Sequence, residues 1–412
     1  MERICTREYS WQGRQNVRAH RSEASFALRF VVLLGVVSLF ADLTYEAARS
    51  IVGPYLGLLG ASAPAVGMVA GFGELIGYAL RLVSGYLSDR TGRPWALTIW
   101  GYSVNLLAVP LLALAGRWEV AAALIVLERV GKAIRTPARD AMLSHATSRM
   151  GRGWGFGLHE ALDQIGAMLG PLVVAAVLYV GGDYRTGFAI LLMPALVALT
   201  VLIVARLLYP RPQDLEIEAP ALQLEGMSRL FWLYLAGVGL IAAGFADFPL
   251  IAFHFGQAKT VPEVWIPTFY AVAMGADALS ALVFGRLYDR MGFRTLMLAT
   301  LLSALYAPLV FMGDFSGALL GMVLWGIGMG AQESIMRAAV TGMVAQQRRG
   351  TAYGVFNTGY GLAWFLGSAL MGVLYDLSLP ALIVFSVGAQ ALSLPLLIGV
   401  AKRFVKSPSP TQ

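Results

Sequence analysis

Apolar residues come along this chain in long blocks, each about the length of a membrane crossing. A helix rises 1.5 Å per residue, so roughly 20 apolar residues cover the hydrocarbon core of a bilayer. Twelve blocks predict twelve helices, at 28–57, 64–88, 94–116, 118–144, 153–180, 185–209, 228–256, 262–288, 294–313, 315–343, 350–376 and 379–401. Proline and glycine fall inside several of them, which membrane helices tolerate where neighbours re-satisfy the backbone. The longest polar interruption, PRPQDLEIEAPALQLEGM at 210–227, holds Pro210, Pro212 and Pro220, which break a helix. The pattern therefore predicts an all-α membrane protein: a basic tail (1–27), a six-helix bundle (28–209), a linker (210–227), a second six-helix bundle (228–401) and a short tail (402–412).

Lys and Arg in short connections set orientation. Alternate connections hold Arg90 and Arg93, Arg149 and Arg152, Arg206, Arg211 and Arg229, Arg290 and Arg294, Arg348 and Arg349, then Lys402, Arg403 and Lys406. The others hold little beyond Arg117, Arg185 and Lys259, mixed with acids. The first set is predicted cytoplasmic, with both termini inside and the chain multi-pass in the cell membrane. No cleavable signal pattern precedes the first apolar block.

Composition agrees. The 412 residues are 58% hydrophobic and 13% charged, against about a quarter charged in soluble domains. The net charge of +7 follows from the positive-inside pattern, with some attraction to anionic lipid, and needs no nucleic acid. One cysteine, Cys5, makes no intramolecular disulfide or thiolate metal site. The four histidines are scattered. Neither a metal nor a cofactor is expected.

A small charged patch occurs twice. GYLSDRTGR at 85–93 and GRLYDRMGFR at 285–294 each lie at the predicted cytoplasmic end of the second span of their half. A second match pairs 149–170 with 346–367. The chain is thus two copies of one six-helix unit, a parallel repeat found in one transporter architecture.

From 28 to 401 the sequence resembles the major facilitator superfamily. Its signature between the second and third helices is matched by Gly85, Leu87, Asp89, Arg90, Gly92 and Arg93. The second copy keeps Gly285, Leu287, Asp289, Arg290, Gly292 and Arg294. In chemical terms Gly85 admits a close helix approach, Gly92 a tight turn, and Asp89 faces a positive helix N-terminus. The arginines can pair with carboxylates. The patch is read as a breakable cytoplasmic latch between the halves.

Ionisable residues inside membrane spans are costly and face cavities or one another. Candidates for proton coupling or ion pairing are Asp42, Glu46, Glu74, Glu128, Arg129, Glu160 and Asp163. Candidates for the substrate path are Arg81, Lys132, Arg135, Asp247, Asp277, Asn357 and Tyr360. Glu128, Lys132, Arg135 and Arg139 recur at i, i+4, i+7 and i+11, one stripe of a helix that cannot face lipid. The second, fourth and fifth spans are expected to bring Arg81, Lys132 and Arg135 near Glu160 and Asp163. Across the repeat, Asn357 and Tyr360 align with Glu160 and Asp163, so the halves present different chemistry at equivalent places.

Gly157, Gly166, Gly170 and Pro171 are similar to the antiporter motif of proton-coupled exporters, although Val174 replaces its following glycine. The fourth-helix pattern of those exporters is missing at Arg129-Val130-Gly131. His159-Glu160 fails the zinc-protease motif, because Asp163 stands where its second histidine would be. No phosphate-cradling loop supports ATP-driven pumping. The resemblance implies a monomeric, non-enzymatic transporter of a small molecule, working with protons by alternating access, with export by antiport favoured. A symporter or uniporter of an anionic metabolite, and a lipid flippase on the same scaffold, are the alternatives.

Overall fold

In a computed structural model, which describes residues 2–91, 93–147, 152–210, 228–343 and 349–406, fifteen α-helices make the twelve crossings. They are α1 (Glu2–Leu58), α2 (Ala63–Thr91), α3 (Pro94–Leu111), α4 (Trp118–Thr147), α5 (Arg152–Tyr179), α6 (Tyr184–Ile190), α7 (Leu192–Leu208), α8 (Arg229–Ala243), α9 (Phe248–Ala258), α10 (Ile266–Met291), α11 (Phe293–Ala304), α12 (Tyr306–Met312), α13 (Phe315–Met343), α14 (Arg349–Leu377) and α15 (Leu379–Lys406). No strand occurs among the described residues. Residues 211–227 of the predicted linker, and Gly92, lie outside them.

Eleven crossings are long and apolar enough to be recognised by those criteria alone. The twelfth is α4, whose 30 residues include Glu128, Arg129, Lys132, Arg135, Arg139 and Asp140. It can cross only because its charged stripe is turned inward. The outer surface is apolar, with Leu207, Leu279 and Val384 among many exposed hydrophobic side chains. The first helix also runs further than its apolar block, back through the basic tail to Glu2.

Three crossings predicted as single helices are broken. Proline clashes with the carbonyl four residues earlier, and α6 and α11 end at Ile190 and Ala304, four residues before Pro194 and Pro308. The third break, between α8 and α9, exposes backbone groups at mid-crossing. They are satisfied by side chains. Ser386 Oγ donates to the Gly244 carbonyl at 2.6 Å, Trp325 Nε1 donates to the Ala246 carbonyl at 2.9 Å, and Ala246 N donates to Tyr306 Oη at 2.6 Å. Irregular backbone at membrane depth survives only when enclosed this way.

The packing is that of a duplicated unit. Within the first half α1 lies along α5 and α3 along α4; in the second, α8 lies along α14 and α12 along α13. Between halves α2 meets α14 and α5 meets α10, while α1 meets α9. These pairings exchange under a two-fold that maps one half on the other, giving two pseudo-symmetric six-helix bundles.

The halves close on each other at the end carrying the Gly60 turn. One hydrophobic cluster runs there from Tyr45, Val52 and Tyr55 of the first half into Phe253, Phe255 and Phe269 of the second. Gly53 faces the Pro249 carbonyl, and Gly67 the Ser368 carbonyl, so closely that neither position has room for a side chain. Tyr184 Oη donates to Glu263 Oε2 across the seam at 3.1 Å. Toward the opposite end the first half has a separate cluster of its own, around Phe30, Trp95, Tyr102 and Leu202.

Candidate functional site

Between the bundles lies a cavity of about 230 Å³. Its wall in the first half comes from α1, α2, α4 and α5, and in the second from α10, α13 and α14. Glu160 and Glu333 line it and are solvent-exposed. Each sits well inside its crossing, about 12–15 Å from the helix end at 1.5 Å per residue. The cavity therefore opens toward the end that carries Arg90 and Arg290, opposite the closed Gly60 end.

The helices that build this wall pack at glycine distance. A Cβ on Gly166 or Gly170 would run into the carbonyls of Leu39 and Leu43, so α5 is seated directly on the α1 backbone. Gly131 of α4 faces Asn105 of α3 in the same way. This seating holds the inner face of α1 against α4 and α5. It sets Asp42, Tyr45, Glu46 and Arg49 beside Lys132, Arg135, Arg139 and Asp163 in the cavity wall.

Charges at the closed end of the cavity form a paired network. Arg49 Nη2 is 2.6 Å from Asp247 Oδ1 and 3.3 Å from Glu74 Oε1, and its Nη1 is 4.0 Å from Glu46 Oε1. Arg129 is 3.3 Å from both Glu74 and Glu128. Asn105 Nδ2 donates to Glu128 Oε1 at 2.6 Å. Tyr270 Oη donates to Glu46 Oε2 from the other half. Two links, Arg49–Asp247 and Tyr270–Glu46, thus tie the bundles together under the apolar seam. Asp247 stands at the N-terminus of α9, where the helix break turns it toward α1.

Nearer the open end, Arg139 is 2.9 Å from Asp140 and 3.9 Å from Asp163. His159 Nδ1 is 3.6 Å from Asp163, its Nε2 is 3.0 Å from Ser38 Oγ, and Arg139 Nη1 donates to the same Oγ at 3.0 Å. Lys132 and Arg135 are held differently. Lys132 Nζ sits 3.9 Å over the Tyr45 ring, and the Arg135 guanidinium 4.2 Å over Tyr102. Arg81 lies 5.0 Å from the Tyr78 ring centre.

The structure brings Arg81, Lys132 and Arg135 to one cavity with Glu160 and Asp163, together with Asp42, Glu46, Glu74, Arg129 and Asp277. Glu128 and Asp247 line a smaller adjoining space, with Arg49 and Arg129 between the two. Tyr360 stands behind the wall, its ring 5.5 Å from Tyr78 and its hydroxyl donating to Gln332 at 3.0 Å. Asn357 is half-buried and not part of the lining. Sequence reasoning named none of Tyr45, Tyr270, Trp364, Arg49 and Glu333 as site residues. An aromatic on an apolar helix carries no signal of what it faces. Arg49 was the available clue, since an arginine amid an apolar crossing needs a partner.

At the repeated patch, Gly292 has φ +58°, a conformation that favours glycine and turns α10 into α11. Gly85 is less constrained: its nearest neighbour is Pro137 Cβ at 3.6 Å, ordinary contact with room for a methyl group. Arg90 and Arg93 are exposed, and Arg90 Nη1 donates to Tyr86 Oη at 3.4 Å. The side chains of Asp89 and Asp289 lie outside the described set, as does Gly157.

A model of the Major Facilitator Superfamily matches residues 34–368 and 231–411. An uncharacterized protein of Mycobacterium tuberculosis is 43% identical over 382 residues, covering 91% of this chain and 93% of its own length. An uncharacterized MFS-type transporter of Methanocaldococcus jannaschii is 27% identical, over 88% of this chain and 93% of its own. Among solved structures, a bacterial homologue of the human lysosomal transporter Spinster, inward-facing and unoccupied, superposes with a TM-score of 0.72 at 14% identity, covering 94% of this chain and 99% of that one.

Proposed function

This chain belongs to the Major Facilitator Superfamily, a fold for secondary transport by alternating access, and from its cavity we propose that it is a proton-coupled antiporter exporting a small polar solute. In this reading the arginine-rich end is cytoplasmic, both termini are inside, and the chain stands in the inward-facing state. The cavity supports a small cargo: 230 Å³ falls below the roughly 300–1,000 Å³ of drug-sized sites.

The observation that carries proton coupling is the unequal sharing of Arg139. Asp140 holds it at 2.9 Å and Asp163 stands back at 3.9 Å. Asp163 can therefore take a proton without stranding the arginine, which keeps Asp140. Asp163 also lines the open cavity, within reach of water. The tight seat of Gly166 and Gly170 on α1 joins Asp163 mechanically to the helix that carries Arg49. Protonation at one carboxylate is in this way linked to the contacts that close the opposite end. The second copy of the patch, Gly285 to Arg294, and the first, Gly85 to Arg93, act as latches that hold the cytoplasmic end when it closes.

The test is an imposed pH gradient across proteoliposomes, challenged with a panel of small polar solutes. Solute movement by the natural chain is expected to dissipate the gradient. Asp163→Asn is expected to exchange solute for solute without moving protons. Solute flux that leaves the gradient intact, or an Asp163→Asn protein that moves protons as well as the natural chain, would refute the assignment.

A further inference from the structure

Asp277 lies near the middle of α10, about 17 Å from Ile266 at 1.5 Å per residue, and it lines the cavity while only 3% exposed. The other buried acids of the cavity wall each have a cation. Glu46 and Glu74 share Arg49, Asp163 has Arg139, and Lys132 acts on Asp42. Asp277 has no cation among the described residues, and its Oδ1 makes no hydrogen bond to protein. The charged groups that act on it are Glu333 of α13, Glu160 of α5 and Glu46 of α1, and none of them supplies positive charge. The other elements packed on α10, namely α9, α11 and the turn before it, bring no charge to bear. A carboxylate ion in such a place is costly, and a group so placed sheds its charge instead.

The carboxyl is also fixed in place. A Cβ on Gly326 or Gly330 would run into the carbonyls of Ala273 and Asp277, so α10 is seated directly on the α13 backbone. Asp277 Oδ1 lies in the space that Gly330 leaves; a Cβ there would come within 2.7 Å of it. Asp163 is borne in the same manner, on a helix seated through Gly166 and Gly170 on α1. The two helices, α5 and α10, meet each other across the seam between the bundles. Their carboxyls are not repeat equivalents. Gly85 pairs with Gly285, so Gly77 of α2 stands where α10 has Asp277, and Gly77 lines the cavity too. Each half thus presents one carboxyl that can be held neutral, on one of the two helices that face each other at the seam.

Building on the antiport reading above, we propose that Asp277 is a second proton-carrying carboxyl, which holds a proton of its own in this state and exchanges it with the cavity. The step is an acid dissociation. The O–H bond of the Asp277 carboxyl breaks, the proton passes to cavity water, and the carboxylate is left once water or an entering solute can solvate it. Asp163 remains the group whose proton is linked to closure of the opposite end. The Asp277 proton rides on the same movement, because α10 and α5 share the seam. Two protons then return for each solute exported, and the energy drawn from a given proton gradient doubles.

The test uses the full chain in detergent, with the proton itself as the ligand. The infrared spectrum of the natural chain minus that of Asp277→Asn, both at neutral pH, is expected to contain the carbonyl stretch of one protonated carboxylic acid. That band is expected to shift on transfer to deuterated water and to vanish as pH rises. Asp277→Glu is expected to show the same band displaced, and its difference spectrum decides the matter should Asp277→Asn fail to fold. Unfolding temperatures establish that the compared proteins are folded. The absence of the band from both difference spectra would overturn the inference, because Asp277 would then be ionised. A band that neither exchanges with deuterium nor titrates would mark a sealed structural acid, which overturns it too. The band is read without any solute, so the two readings fail separately. Its absence in a chain that dissipates a pH gradient with a solute would sink the second proton site and leave antiport standing.

Discussion

Arg49 of α1 and Asp247 at the start of α9 meet at 2.6 Å, a buried charge pair that joins the two bundles beneath their apolar seam. The pair is not symmetric. Arg49 also serves Glu74 and Glu46, so losing the arginine takes a partner from three carboxylates and leaves Asp247 with no cation within 4.0 Å among the described residues, while losing Asp247 leaves the arginine two partners. Breaking a buried pair by removing one member costs about 3–5 kcal/mol. Arg49→Ala is expected to reach that cost and Asp247→Asn to fall well below it, read as unfolding temperatures in one detergent. Equal destabilisation would mean that Arg49 is held by Asp247 alone.

Helix seating gives a second contrast. Gly166 faces the Leu39 carbonyl, whereas Gly85 has a free methyl's width to Pro137. Overpacking costs typically 1–3 kcal/mol. Gly166→Ala is expected to lower thermal stability by that order, and Gly85→Ala to leave it within about 0.5 kcal/mol, the usual range for substitutions that disturb no packing. A stable Gly166→Ala protein would show that α1 and α5 can separate without penalty.

The latch is tested at Asp89. Asp89→Asn is expected to cut transport at least tenfold while the amount of protein inserted in the membrane is unchanged. Normal rates would remove the latch from the mechanism.

Much of this was legible in the sequence, for reasons that particular residues show. The apolar blocks mark all twelve crossings, α4 among them. Within α4 the helical spacing of Glu128, Lys132, Arg135 and Arg139 marked the face that avoids lipid, and Lys132, Arg135 and Arg139 do line the cavity, with Glu128 in the adjoining space. The breaks were less visible. Pro194 and Pro308 lie beyond the residues where α6 and α11 stop, and the α8–α9 break depends on Tyr306, Trp325 and Ser386 from distant helices. The contacts between bundles were not legible at all. Arg49–Asp247 and Tyr270–Glu46 join residues about two hundred positions apart, and no local period encodes such a meeting. Asn357 and Tyr360, placed by repeat alignment, do not line the cavity, because equivalent positions in a duplicated fold need not keep equivalent surroundings.

The central claim is that the Gly60 end and the Arg90 end open in alternation. Spin labels at Leu58 and Lys259 report on the first, and labels at Arg90 and Arg290 on the second, all at exposed positions, with Cys5→Ser as background. Pulsed distance measurements at two pH values, with and without transported solute, are expected to show the Leu58–Lys259 distance lengthening as the Arg90–Arg290 distance shortens. Two distances that stay fixed under every condition, or that lengthen together, would contradict alternating access in this chain.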